Sequence, residues 1–223
     1  MNDHDGIPRE PSPARPLAAL ERLLKRGRSV QAGEVCEMCA APIPDDHPHV
    51  VNVETRNLLC SCRACHLLFT SPGAAGGKFR AVPEHYHRAP SFQLSGALWD
   101  EFEIPVRVAF FFFNSALGRV VAFYPSPAGA TESTLPLDAW QSLLQANPFL
   151  RTLRPDVEAL LVYGGRDQAF DCFVVPIAAC YELTGIVKRH WRGFDGGQDA
   201  WRAIEVFVSA LCAKSAPMVE GAP

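Results

Sequence analysis

Two Cys-x-x-Cys pairs, Cys36-Glu-Met-Cys39 and Cys62-Arg-Ala-Cys65, restrict this chain more than any other feature. Each pair forms a tight turn that presents both sulfurs to one point, and two such turns on a short hairpin complete a tetrahedron of thiolates. Between them, Val50, Val51 and Val53, then Leu58, Leu59 and Cys60, alternate like two strands around Thr55-Arg56-Asn57. Residues 34–70 therefore read as a zinc-ribbon-like module with Cys36, Cys39, Cys62 and Cys65 as metal ligands. Cys60 is the alternative ligand, because residues 60 and 62 of one strand share a side. His66 follows Cys65 directly and reads as an exposed or outer-sphere residue.

Four thiolates close the coordination shell, which leaves no open position for hydrolytic chemistry and favours a structural zinc. The alternative is a rubredoxin-like mononuclear iron that carries electrons. Rubredoxins place glycine soon after each turn, so that backbone N–H groups approach the sulfurs; here Ala40 and His66 stand at those places.

Five of the eight cysteines fall between residues 36 and 65, a spacing that points to metal in a compartment that keeps thiols reduced. Cys172, Cys180 and Cys212 lie in apolar segments and read as small core residues. The polar, proline-rich start MNDHDGIPREPSPARP lacks the apolar stretch of a secretory signal, so the cytoplasm is the expected location. No apolar run approaches the roughly 20 residues of a spanning helix, so no membrane association is expected. A net charge of −3 and a pI near 6.2 supply no global attraction for phosphate backbones, which ranks a nucleic-acid-binding ribbon third. The basic set Arg22, Lys25, Arg26 and Arg28 reads as a solvated helix face.

Residues 1–14 are expected to be a disordered tail and 15–33 an amphipathic helix opened by Pro16. After the module at 34–70, residues 71–93 read as a Gly/Pro-rich linker; its GGK lacks the remaining elements of a phosphate loop. Residues 94–213 read as an α+β domain, followed by a second disordered tail at 214–223. Strands are expected at 104–113 and 119–124 around the NSALG turn, then at 157–163 and 170–175 around GGRDQ. The first is so uniformly apolar that it belongs mid-sheet, covered on both faces. Helices are expected from about Leu137 to Ala146, after Pro176, and after Gly197. The expected whole is a mainly antiparallel four-stranded sheet with helices packed on one face.

Outside the cysteines, Tyr124-Pro-Ser-Pro-Ala-Gly-Ala-Thr-Glu-Ser133 leaves a strand, is too polar for core and is long for a mere connection. It is expected to be a partner-binding loop, with Tyr124, Ser126, Thr131, Glu132 and Ser133 as its contact residues. The competing reading is a connecting loop that caps the next helix. His85 and His87 would project to one side of an extended chain, and His47 and His49 repeat that spacing. Histidines near loops usually face solvent, so a second metal site ranks below that reading. Ser126, Ser133, His190 and Asp195 show no spacing that implies a nucleophile–base pair, and no catalytic set is expected.

Taken together, CEMC, LLCSCRACHLLF, GGKFRAVP, VVAFYPSPAGATES, PLDAW, DVEALLV and HWRGF resemble an uncharacterised protein family whose genes accompany those of actinobacterial-type nickel–iron uptake hydrogenases. The resemblance runs from about residue 34 to 212, and LLCSCRAC and FYPSPAGATES are its most specific strings. It carries no catalytic residues across. It implies a setting in hydrogenase assembly or the attached electron-transfer chain, and with it a protein partner: a hydrogenase subunit or maturation factor.

Overall fold

The computed structural model describes residues 34–134, 136–164, 169–193 and 196–218. The tail and amphipathic helix expected over residues 1–33, most of the GGRDQ turn and the last five residues lie outside them. In chain order the described elements begin with β1 (His49–Asn52), β2 (Asn57–Cys60), α1 (Arg63–Leu67), β3 (Phe79–Ala81), β4 (His87–Arg88) and α2 (Gly96–Glu101). They continue with β5 (Val108–Asn114), β6 (Arg119–Ser126), β7 (Gly129–Ser133), α3 (Leu137–Ala146), β8 (Glu158–Gly164) and β9 (Phe170–Pro176). Helices α4 (Ile177–His190) and α5 (Gly197–Lys214) and the short strand β10 (Ala216–Pro217) complete the chain.

The expected hairpin around Thr55-Arg56-Asn57 forms, with Val50 opposite Leu59 and Val51 opposite Leu58. β3 adds to its other edge, giving a three-stranded antiparallel sheet in the order β2-β1-β3. The larger sheet has seven strands in the order β10-β4-β9-β8-β5-β6-β7, where four were expected. Its middle, β9-β8-β5-β6, corresponds to the four expected strands and is antiparallel throughout. Beyond it, β4 and β10 are two residues each, too short to leave any periodicity in the sequence. β7 arises because segment 124–133 is a hairpin arm and not a loop, with Tyr124 opposite Thr131 and Ser126 opposite Gly129. Pro125 is tolerated because β6 pairs with β5 only through Phe123, so the proline lies past the end of that ladder.

Helices cover both faces of this sheet, not one, and the pleat of β5 shows why. Val108, Phe110 and Phe112 enter one core while Ala109 and Phe111 enter the other, all but Phe112 essentially without solvent exposure. A strand apolar on both sides needs two covering layers. Ile177, Cys180, Leu183 and Val187 of α4, with Ile204, Val208 and Leu211 of α5, close the first core. Trp99 of α2, Phe102 just after it, and Trp140 and Leu143 of α3 close the second. Each fully buried Phe or Leu here contributes roughly 1.5–3 kcal/mol of transfer free energy.

The ribbon is seated on the α4 side: Val51 and Val82 belong to the first core, and Val53 and Leu58 pack against it. A charged contact fixes it further, because Arg80 of β3 donates to the Asp156 carboxylate at 2.8 Å and to Pro155 O at 3.2 Å.

Candidate metal centre

The first cysteine turn is closed by its own backbone. Ala40 N donates to Cys36 O and Cys36 N donates to Ala41 O, both at 2.8 Å, and Val35 and Pro42 form an antiparallel bridge. Closing the turn drives Ala40 into the left-handed region, with φ 59°, where a Cβ is disfavoured. The second turn is the start of a helix. Cys62, in extended conformation, is the N-cap of α1; its Sγ accepts from Cys65 N at 3.4 Å, and His66 N donates to Cys62 O at 3.0 Å. The N-cap bond ties the two sulfurs of the turn to one side of the helix start.

These turns bring Cys36, Cys39, Cys62 and Cys65 together, with all four Sγ atoms within 4.8 Å of one another. Cys39 Sγ and Cys62 Sγ are 3.7 Å apart. A tetrahedral ion with 2.3 Å metal–sulfur bonds needs sulfur–sulfur edges of about 3.8 Å. The donor set therefore fits a metal ion that accepts four thiolates, with zinc and iron alike meeting that geometry.

The thiols are electrostatically unequal. Burial opposes ionisation of Cys36, but backbone N–H groups of Cys62, Met38 and Cys39 outweigh it and lower the pKa to about 6. Burial, together with hydrogen bonds among the Cys39, Cys62 and Cys36 thiols, pushes Cys65 up to about 12. Crowded sulfurs cannot all ionise without a cation among them, which is the electrostatic demand that a bound metal satisfies.

His66 is buried, contrary to the exposed position read from its place after Cys65, and its Nε2 lies 2.9 Å from Val82 O. It locks α1 to the chain leaving β3. Cys60, the alternative ligand, sits apart from the four sulfurs. β2 ends at Cys60, and Ser61 turns the chain inward, donating from N and Oγ to Pro48 O at 2.9 Å each. The side-sharing argument for residues 60 and 62 holds only inside one strand. Cys60 instead lies with His47 and His49, one ligand atom from each within 4.8 Å of the others.

The residues expected to form a binding loop stand on the β6–β7 hairpin. Ser126 and Thr131 hydroxyls share a hydrogen bond of 2.8 Å, and Glu132 accepts from Arg119 at 2.9 Å. Tyr124 packs against the second core, and Ser133 pairs with Ala122. Glu132 also borders a cleft of about 270 Å³ between the ribbon hairpin and the large sheet, with Thr55, Leu58, Phe123 and Tyr181 among its walls. The His85 and His87 rings lie tilted to one another with centroids 5.1 Å apart, and His85 Nε2 lies 2.9 Å from Glu158 Oε1. Among the described residues no third donor joins those two histidines.

Among the described residues, no helix is long and apolar enough to cross a membrane. No curated protein and no solved structure matches the chain. A family model spans residues 35–215, from the residue before Cys36 to the residue after α5. By that match the chain belongs to the family of unknown function DUF5947.

Proposed function

We propose that this chain is a non-enzymatic accessory protein of a nickel–iron hydrogenase system in the cytoplasm, stapled by one structural zinc on Cys36, Cys39, Cys62 and Cys65. The observation that carries the metal assignment is the convergence of four Sγ atoms within 4.8 Å on two turns of different local structure. Zinc bound there supplies no redox or hydrolytic chemistry; it cross-links residues 34–70, which are too few to hold their shape by burial alone.

The ribbon, with the β6–β7 hairpin, is the surface offered to a partner. Apolar side chains flank the cysteines on the outside: Val35 is 40% exposed, Leu67 52% and Leu68 66%. Exposed apolar residues beside a rigid, metal-fixed turn suit a protein contact better than solvent. The likeness of LLCSCRAC and FYPSPAGATES to the hydrogenase-associated family supports a hydrogenase subunit or maturation factor as that partner.

A second reading, a mononuclear iron electron carrier in the same system, is favoured by the exposure of Cys39. Metal analysis and a visible spectrum, on full-length protein expressed with both metals supplied, separate the two. One zinc per chain and a colourless solution support the staple. One iron per chain, with bands that bleach on reduction, replaces it with the carrier. Native expression followed by affinity capture tests the partner: the proposal requires a hydrogenase component to co-purify and to be lost in a Leu67→Ser/Leu68→Ser variant of unchanged metal content.

A further inference from the structure

We propose that His47, His49 and Cys60 form a second metal site beside the four-cysteine centre, taking a divalent zinc-like cation on two imidazoles and one thiolate, with the fourth position open.

The register of the ribbon hairpin builds it. His49 is paired directly across from Cys60, so their side chains leave the same face of the two strands. His47 reaches the same point from two residues upstream, across Pro48, whose carbonyl is pinned by Ser61 N and Oγ. One ligand atom from each lies within 4.8 Å of the others. The two imidazole rings are 4.8 Å apart, centroid to centroid.

His47 supplies the independent observation. Its side chain is only 6% exposed. Nδ1 lies 2.9 Å from Pro44 O and 3.4 Å from Glu34 Oε2, and both are oxygens that only accept when the carboxyl is ionised. In the neutral ring these acceptors place the proton on Nδ1 and leave the lone pair on Nε2. That Nε2 is buried without any hydrogen-bond partner. Metal-ligating histidines show this arrangement: the outer nitrogen donates to a carbonyl or carboxylate, which fixes the tautomer and turns the other nitrogen to the ion. A buried lone pair without a partner otherwise destabilises the fold, because its desolvation is not repaid.

The surroundings suit a cation. Glu34 and Glu37 lie close enough to act on Cys60 electrostatically, and two carboxylates beside such a donor set favour positive charge. Glu37 also joins the two centres. Between Cys36 and Cys39, its N donates to Cys60 O at 2.9 Å while its Oε2 accepts from Cys60 N at 2.6 Å. Folding of the first turn around its ion thus places Cys60 for the second. Three protein donors of mixed N and S type leave room for water or a small anion, as in open zinc centres.

Cobalt(II) titration of metal-free, full-length protein tests this, with zinc competition and metal counting by native mass spectrometry. The native chain is expected to bind two equivalents, the second giving a spectrum that shifts when azide is added. Cys60→Ala and His47→Gln are each expected to bind one equivalent, retain the four-sulfur charge-transfer bands and keep the native far-UV circular dichroism. One equivalent in the native chain that carries the four-sulfur bands, or two in both variants, overturns the second site and leaves the four-cysteine staple standing. A single equivalent that Cys60→Ala removes, without four-sulfur bands, supports the second site and sinks the staple.

Discussion

Asp156 is where the ribbon is bolted to the sheet, and its replacement gives the sharpest energetic test of the architecture. Its side chain is 6% exposed and accepts from Ser115 N at 2.8 Å, Ser115 Oγ at 2.6 Å and Arg80 at 2.8 Å. Its backbone is left-handed, with φ 67°, a conformation that aspartate and asparagine tolerate better than alanine. In Asp156→Ala, losing the two Ser115 bonds to a charged acceptor costs about 3–4 kcal/mol in total. The Arg80 pair adds less than about 1 kcal/mol, because the arginine is 39% exposed and its charge stays solvated. Left-handed alanine adds about 1 kcal/mol, giving a loss of roughly 4–6 kcal/mol. With a urea m-value of about 2–3 kcal/mol/M, the denaturation midpoint falls by about 2 M. Asp156→Asn keeps one acceptor and the backbone preference, and is expected to lose about 1–2 kcal/mol. Asp156→Gly loses the same carboxylate bonds but not the backbone strain, so it should be about 1 kcal/mol more stable than the alanine variant. The assay is equilibrium urea denaturation at neutral pH followed by circular dichroism. An alanine loss below about 1 kcal/mol, or an alanine variant more stable than the glycine one, refutes the reasoning.

Three further outcomes follow from the same structure. Chelation of the bound metal should strip amide-exchange protection from Val50, Val51, Leu58 and Leu59 while β8 keeps its protection, since Leu160 and Val162 sit in a core without ribbon residues; hydrogen–deuterium exchange before and after chelation decides it. Burial alone would raise Glu158, but hydrogen bonds from the Arg154 side chain and backbone, and then from His85, outweigh it and hold the carboxyl below its ordinary value of 4.5. A depressed carboxylate stabilises the fold above its unfolded pKa and loses that contribution as pH falls through the folded value, so the stability gap between native protein and Glu158→Gln should be full at pH 7 and shrink below pH 4.5; paired urea curves at neutral and acid pH read it directly. Phe111→Ala, at a fully buried position between Phe102 and Trp140, should cost about 3–5 kcal/mol by thermal or urea denaturation, whereas Val206→Ala, 65% exposed, should cost under about 0.5.

What the sequence revealed and what it hid divide along physical lines. The four clustered cysteines were legible because a tetrahedron of thiolates demands two close pairs, whatever the intervening chain does. The role of Cys60 was not, because its partner His49 is defined by cross-strand register, which depends on where the hairpin turns. A legible clue did exist, since His-Pro-His precedes one arm of the hairpin and Cys60 ends the other. The four central strands announced themselves as apolar runs, but β7 was masked by Pro125, Pro127 and Gly129, residues that signal turns. Helix α2 went unread although Ser95 caps it, accepting from Leu98 N at 3.1 Å, because six residues are too few for a periodic signal. Yet the demand for a second covering layer was already present in Val-Ala-Phe-Phe-Phe-Phe, which no one-sided sheet could bury.

The attachments of the ribbon constrain how it can work. Val51 and Val82 anchor it in the first core and Arg80 anchors it to Asp156 just before β8, while His66 ties α1 to Val82 within the ribbon itself. A carrier that delivers an ion or electron by swinging a tethered module needs the opposite: a linker with few contacts on either side. Here the connecting segment itself supplies β3 to the small sheet and β4 to the large one. Any partner that recognises Leu67 and Leu68 beside the cysteines thereby meets a surface already ordered by the core, and further fixed by the proposed metal. Binding to such a surface forfeits little conformational entropy, which is what makes a pre-organised ribbon useful as a docking face.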